Sequence, residues 1–366
     1  MDRIYNFSHA SAMLPKEILD EINAALLNYG EGGISLAEIS YGSAEFEKIL
    51  AEAEDALRSL MDIPLNYRVI FAPGGSSVQY SAIPLNLLSE HKCADYVLTG
   101  RLSKNASLEA KKYGDIVIAA SSAGCLPAYS SVPELKRSDF RPDADYVHVC
   151  YNNAQYGTKF NSVPETGNIP LVADMSSSLL SEPVEVMKFG LIYASSGVNI
   201  GPSGLTVVIV RDDLVGGATD ATPSALNYKA ILEKKSIFNT PPIVPLYGAK
   251  LTFELLAALG GLGEMKRKNE RKASLIYDYL DSQSYYTAPV DKSCRSMANV
   301  VFFTGDATLD AKFIKEAEEI GYIGLARDKS LGGMCASIYN SMPYNAVEGL
   351  VAFMKKFACE NPKFTA

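Results

Sequence analysis

Apolar and polar positions along this chain follow two periods. AEFEKILAEAEDALRSLM (44–61) sets Phe46, Ile49, Leu50, Ala53, Leu57 and Leu60 three and four residues apart, which predicts an amphipathic helix. From there to about residue 260, helix-length segments alternate with the short apolar runs YRVIFA, DYVLTG, DIVIAAS, YVHVCYN, LVADMSS, LIYASS and LTVVIVR. Several of these are apolar at consecutive positions, as strands are when a mostly parallel sheet buries both of their faces. Seven such strands predict one large α/β domain. LTFELLAALGGLGEMKRKNERKASLIYDYL (251–280) reads as helix, Gly-Gly break and helix, with MKRKNERK (265–272) as a solvated face. Beyond it NVVFFTG and CASIYN read as strands flanking the helical KFIKEAEEIGY, a smaller α+β domain closed by a terminal helix. The expected division is 16–260 for the large domain, and 1–15 with 261–366 for the smaller one.

Composition narrows the partners. The 366 residues are ample for a buried core, and a formal charge of −8 with no basic run argues against nucleic acid or an anionic membrane as partner. No apolar run reaches the ~18 residues of a membrane span, and MDRIYNFSHA lacks the layout of a signal peptide. Six cysteines without C-x-x-C spacing suit free thiols in a reducing compartment, so a cytoplasmic protein is expected. Only His9, His91 and His148 are available, too few for a histidine metal site, and no metal is expected.

Two segments carry candidate chemistry. FAPGGSSVQYSAIPLNLL (71–88) predicts strand, Gly-Gly turn and helix. Backbone N–H groups of Gly75, Ser76 and Ser77 then converge at a helix N-terminus, either as a phosphate cradle or as a tight reversal only. LVADMSSS (171–178) ends an apolar strand on Asp174. That carboxylate either caps the next element or faces a site, since sites in open α/β sheets lie at the carboxyl ends of strands; a pyridinium nitrogen is one partner for it.

In order along the chain, NFS…AMLP, EIS, NY-x-V-x-F…GG-x-S-x-Q, ADYVLTG, ADYVHVC, GNIPLVADMSS, GLIYA, NIGPSGLTVVIVRDDL, FNTPP and GGM-x-ASIYN-x-MP resemble the phosphoserine aminotransferases. The resemblance runs through nearly the whole chain. It implies fold type I of the pyridoxal-phosphate (PLP) transferases: a large domain with a mostly parallel seven-stranded sheet, a smaller C-terminal α+β domain, and a homodimer with sites at the interface. It places Ser76 and Ser77 at the cofactor phosphate and Asp174 at the pyridine nitrogen. Asn239 and Thr240 fall on residues that reach the phosphate from the other subunit.

The pocket departs from that family at many positions. Where the family reads YAGAQKNIGP, this chain reads YASSGVNIGP, so Val198 falls on the Schiff-base lysine and Gly197 on the preceding glutamine. Tyr41 and Gly42 replace a His-Arg pair that binds substrate phosphate. Leu102 replaces the tryptophan of a TGSWSK-like string, and the chain has no tryptophan at all. Ala154 replaces a cofactor-contacting threonine, Cys335 the arginine that grips the substrate carboxylate, and Asp328-Lys329 a His-Arg pair. His9 falls in SHAS, where the family has SAGP, and Ser195 and Ser196 flank the altered loop.

Valine can neither hold the cofactor covalently nor shuttle a proton, and general acid–base help alone is worth ~10²–10⁴ in rate. Two lost guanidinium contacts cost about 3–6 kcal/mol. These losses lead to the expectation of no covalently bound cofactor, with PLP possible only non-covalently. The pocket should be more apolar and less cationic, taking an unknown small molecule or serving a partner or regulatory role. Two alternatives stand beside it. One is an enzyme with different chemistry, drawing on Cys335, Tyr41, Ser195, Ser196, Asp174 and Lys104. The other is a working phosphoserine aminotransferase, acting on 3-phosphohydroxypyruvate and glutamate through a displaced lysine such as Lys104, Lys159 or Lys188.

Overall fold

The computed structural model describes residues 3–30, 32–238 and 242–363. A two-residue strand β1 (Tyr5–Asn6) leads to helix α1 (Lys16–Leu27) and then α2 (Ala44–Met61). The Ser43 hydroxyl caps α2 by accepting from the Phe46 N–H at 3.2 Å. The predicted stripe of α2 is buried, apart from Leu60, which packs at its rim while Met61 completes it.

The central sheet takes β2 (Tyr67–Pro73), β3 (Cys93–Leu98), β4 (Asp115–Ser121) and β5 (Tyr146–Cys150). After a small ribbon, β6 (Asn152–Asn153) with β7 (Thr158–Lys159), it takes β8 (Leu171–Asp174), β9 (Leu191–Ser195) and β10 (Leu205–Arg211). The order is β2-β10-β9-β8-β5-β3-β4. All pairings are parallel except those of β10, which runs against both β2 and β9. All seven apolar runs of the sequence are therefore in one sheet. The consecutive apolar positions have their cause in β10: Val207 and Ile209 pack with α2 on one face, Val208 and Val210 on the other. Helices α3 (Ser76–Leu87) and α4 (Arg101–Ala110) lie on that second face, with α5 (Tyr228–Glu233) beside them.

Helix α6 (Ile243–Ala258) and α7 (Gly261–Asp281) meet at Gly260 and Gly261, whose φ of 99° and 74° make the break seen in the sequence. Helix α7 serves two cores. Leu262 and Met265 belong to the sheet core, while Ala273, Ile276 and Leu280 belong to a second one. That second core is built from β11 (Asn299–Phe302), α8 (Ala307–Glu319), β12 (Tyr322–Ile323), β13 (Met334–Ser337) and α9 (Tyr344–Glu360). The N-terminal segment joins it through β1 pairing with β12 and through Phe7 and Met13. Lys272 corrects the reading of 265–272 as a solvated face: its amine is buried and donates to the carbonyls of Ile338 at 3.0 Å and Tyr339 at 2.6 Å. Burial pushes that amine down to about 7. Among the described residues no single helix is long and apolar enough to cross a membrane.

Candidate active site

Five strands of the sheet end at one cavity of about 290 Å³. Ser76 comes after β2, Arg101 and Leu102 after β3, Asn153 to Tyr156 after β5, and Ser176 and Ser177 after β8. Ser195 ends β9, Val198 follows it, and His9 and Ala10 line the cavity from the N-terminal segment. A larger cleft of about 620 Å³ lies at the amino ends of the strands, around Asn86, Arg137 and Asp213. Carboxyl ends are where open α/β sheets hold ligands, because helix N-termini and loop donors converge there, so the smaller cavity is the candidate.

Asp174 stands behind this cavity. It is almost fully buried, and its Oδ1 accepts from the N–H of Ser176 at 2.9 Å and from the Ser176 hydroxyl at 2.6 Å. Its Oδ2 is buried with no hydrogen-bond partner. Burial raises the carboxyl's pKa, opposed by the Ser176 hydrogen bonds and, least, by the nearby Tyr193 hydroxyl, which makes its own hydrogen bond to His148 at 2.9 Å. An orphaned buried carboxylate oxygen is costly unless a cationic donor arrives, and a protonated ring nitrogen is such a donor. Helix α3 begins at Ser76 after Gly75, which supplies no side-chain cap; the Val78 N–H donates to the Gly75 carbonyl at 3.1 Å, which leaves those of Ser76 and Ser77 for an anion. Ser76 lines the cavity, whereas Ser77 is exposed one residue on. These donors and Asp174 fit a phosphorylated pyridine.

The loop after β9 is fitted to glycine. Gly197 has φ 96°, and a Cβ there meets the Ser203 hydroxyl at 2.4 Å. Its N–H donates to the Gly201 carbonyl at 2.7 Å, and its carbonyl accepts from the Ala12 N–H at 2.8 Å. Val198 is 7% exposed and packs in a small apolar group with Ala298, Tyr339 and Ala12. Ser196 is buried, its hydroxyl accepting from the Leu205 N–H at 3.0 Å.

A polar chain ties the cavity to the second core. Asn152 donates to the Ser177 hydroxyl at 2.9 Å and to Asn299 Oδ1 at 2.8 Å; Asn299 donates to the Tyr339 hydroxyl, which donates to the His9 carbonyl at 2.8 Å. The His9 ring accepts from the Gln155 amide at 2.9 Å. Burial and the nearby Arg101 lower the His9 pKa, so the imidazole is neutral at neutral pH. Behind Asp174, His148 is fully buried, stacked on Tyr96 at 4.6 Å and bonded to the Tyr193 hydroxyl at 2.9 Å.

The remaining sequence candidates scatter. Leu102 and Ala154 line the cavity. Cys335 is buried behind it, its thiol donating to the Ala154 carbonyl at 3.4 Å, and burial pushes its pKa up to about 11, so it is no nucleophile at neutral pH. Asp328 pairs with Arg101 at 2.6 Å, and Lys329 faces a different cavity. Tyr41 and Gly42 are exposed and lie outside the cavity in the chain described. Asn239 and Thr240 fall outside the described residues. Lys104 is exposed on α4, Lys159 pairs with Glu182 beside another cleft, and Lys188 is exposed and paired with Glu185.

Arg101 is the residue that sequence reasoning missed. It occupies the serine position of the TGSWSK-like string, one residue before the lost tryptophan, and that departure was its signal. It puts one cation, paired with Asp328 at 2.6 Å, on the wall of the pocket.

Comparison with known proteins follows the same lines. The class-V aminotransferase family model matches residues 4–354. A phosphoserine aminotransferase of Bacillus cereus is 44% identical over 361 residues, covering 99% of this chain and 100% of the relative. The solved phosphoserine aminotransferase of Bacillus circulans subsp. alkalophilus has 39% identity and a TM-score of 0.94, covering 98% of this chain and 99% of that one. A further solved structure, described as radiation damage of the Schiff base in phosphoserine aminotransferase, has 37% identity and a TM-score of 0.94, covering 99% and 100% of the two chains. The Trichomonas vaginalis phosphoserine aminotransferase, solved with PLP bound, has 33% identity and a TM-score of 0.89, covering 96% and 100%.

These relatives correct one expectation. A cofactor held without a covalent bond does not agree with a relative this similar that carries a Schiff base. The residue type at Val198 alone is too narrow a basis for it, since Asp174 and the free helix N-terminus at Ser76 keep the geometry of a cofactor site. By sequence and by fold alike, the chain belongs to the class-V aminotransferases, within the phosphoserine aminotransferase family.

Proposed function

We propose that this chain does the amino-group chemistry of its family, holding PLP against Asp174 and an anionic amino acid beside Arg101. The observation that carries the reading is the buried, unpartnered Asp174 Oδ2 behind a cavity at the carboxyl ends of the strands. PLP, when bound, supplies an electron sink for the bonds at an amino acid's α-carbon. Asp174 keeps a ring nitrogen protonated, and Ser176 fixes the carboxylate's orientation through two hydrogen bonds. Ser76 and the first-turn N–H groups of α3 take the phosphate. Leu102 and Ala154 give the cavity an apolar wall, and Arg101, with the neutral His9, faces the substrate's anionic groups. The full-length likeness to phosphoserine aminotransferases supports transamination between glutamate and 3-phosphohydroxypyruvate as the activity. A homodimer with its sites at the interface belongs to the same reading.

A second reading is favoured by one observation. Val198 sits in an apolar group of its own, and neither Lys104, Lys159 nor Lys188 lines the cavity. In that reading the pocket binds its ligands as a regulatory or partner-binding protein without turnover. Glutamate-dependent transamination of 3-phosphohydroxypyruvate by PLP-saturated protein separates the two. Turnover on the order of 1 s⁻¹ or more supports the first; saturable ligand binding with no turnover sinks it in favour of the second.

A further inference from the structure

A second cavity, of about 830 Å³, lies next to the candidate active site and shares Tyr156 with it. Its size suits a small organic ligand. Part of its lining is apolar: Tyr129 and Tyr156 meet edge to face at 4.9 Å, and Phe303 and Ile314 add to them. The rest includes two cations, Arg327 and Lys329. Arg327 is fixed by donating Nε–H to the Gln155 carbonyl at 2.9 Å and Nη1–H to the Gly332 carbonyl at 3.1 Å. Neither of the neighbouring acids neutralises it. The Asp328 carboxylate is on Arg101, and Asp310 Oδ1 is taken by the N–H and hydroxyl of Thr304 at 2.8 and 2.7 Å. A half-buried guanidinium held in place with donors to spare, beside aromatic rings, matches a planar carboxylate on an aromatic body.

We propose that this cavity is a second ligand site, one that takes a small aromatic carboxylate. It goes beyond the function proposed above and does not depend on it. Its occupant touches the candidate site through Tyr156, and Asp328, the residue after Arg327, holds Arg101 on the other cavity's wall.

The chain lacks tryptophan, so isothermal titration calorimetry is the readout. Benzoate, its neutral isostere benzamide and inorganic phosphate are titrated into the full chain, with and without saturating PLP. Benzoate is expected to bind at least 10-fold tighter than either of the other probes, and to keep its affinity within a factor of three when PLP is present. Arg327→Gln should weaken benzoate about 10- to 100-fold, with a cooperative thermal melt showing that the variant folds. If Arg327→Gln does not fold, Lys329→Met and the benzoate-to-benzamide ratio decide. Equal binding of benzamide or phosphate, an unaffected Arg327→Gln, competition by PLP, or no benzoate binding at millimolar concentration each overturns the proposal.

Discussion

Asp174→Asn should move stability and ligand affinity in opposite directions. In the free protein Oδ1 is served by Ser176 while Oδ2 is buried and unpaired. Burial raises this carboxyl's folded pKa above its unfolded value. The folded state then binds the proton more tightly, so stability is full below the unfolded pKa and falls as pH rises through the folded one. A buried acceptor left without a partner costs about 1–3 kcal/mol. Asparagine keeps the shape and leaves an acceptor for Ser176, so the free variant should melt roughly 1–4 °C higher, on the scaling of melting temperature with chain length. Binding should respond the other way. A charged hydrogen bond to a ring nitrogen is worth about 1.5–3 kcal/mol, so PLP should bind the variant about 10- to 150-fold more weakly. Thermal melts with and without PLP, and calorimetric titration, give both numbers. A free variant that melts lower, or one that binds PLP as tightly as wild type, refutes the assignment of Oδ2 to the ring nitrogen.

Other expectations test the neighbouring residues. Val198→Lys should fold, because the cavity in front of residue 198 gives the longer chain room, and borohydride reduction with PLP should yield a pyridoxyl peptide containing residue 198; a folded variant without that peptide shows that the position does not face the cofactor. Arg101→Gln should raise the apparent KM for glutamate about 10-fold while changing stability by under about 1 kcal/mol, since its pair with Asp328 is 46% and 30% exposed; an unchanged KM removes Arg101 from the substrate's path. Burial pushes His148 down to about 3 from 6.5, so stability is full above 6.5 and lost as pH falls from there toward 3. That loss is about 2 kcal/mol at pH 5, and His148→Phe should flatten the acid limb of denaturant-measured stability; an equally steep limb contradicts a neutral buried imidazole.

The sheet was legible because its strands are buried on both faces, so that Val207 to Val210 read as an uninterrupted apolar run. The Gly260–Gly261 break was legible because only glycine takes those φ angles easily. What the sequence hid is lateral. Lys272 looks solvated in a run of charges, and only the packing of α7 under the 338–342 segment buries it. Arg101 was hidden because a gained charge beside a lost tryptophan reads as one more surface arginine until the cavity's wall is seen. Asp174 and Ser76 were found through strand ends and a helix start, which are local features. Arg327 was not, because its contact to the Gln155 carbonyl joins segments far apart in the chain.

The central claim is that PLP belongs in the cavity between Asp174 and the start of α3. A crystal structure of the full chain grown with saturating PLP tests it most directly. The account predicts the pyridine nitrogen about 3 Å from Asp174 Oδ2 and the phosphate on the backbone N–H groups of the first turn beginning at Ser76. PLP bound elsewhere, bound with its phosphate away from that turn, or absent from the cavity at saturation contradicts it.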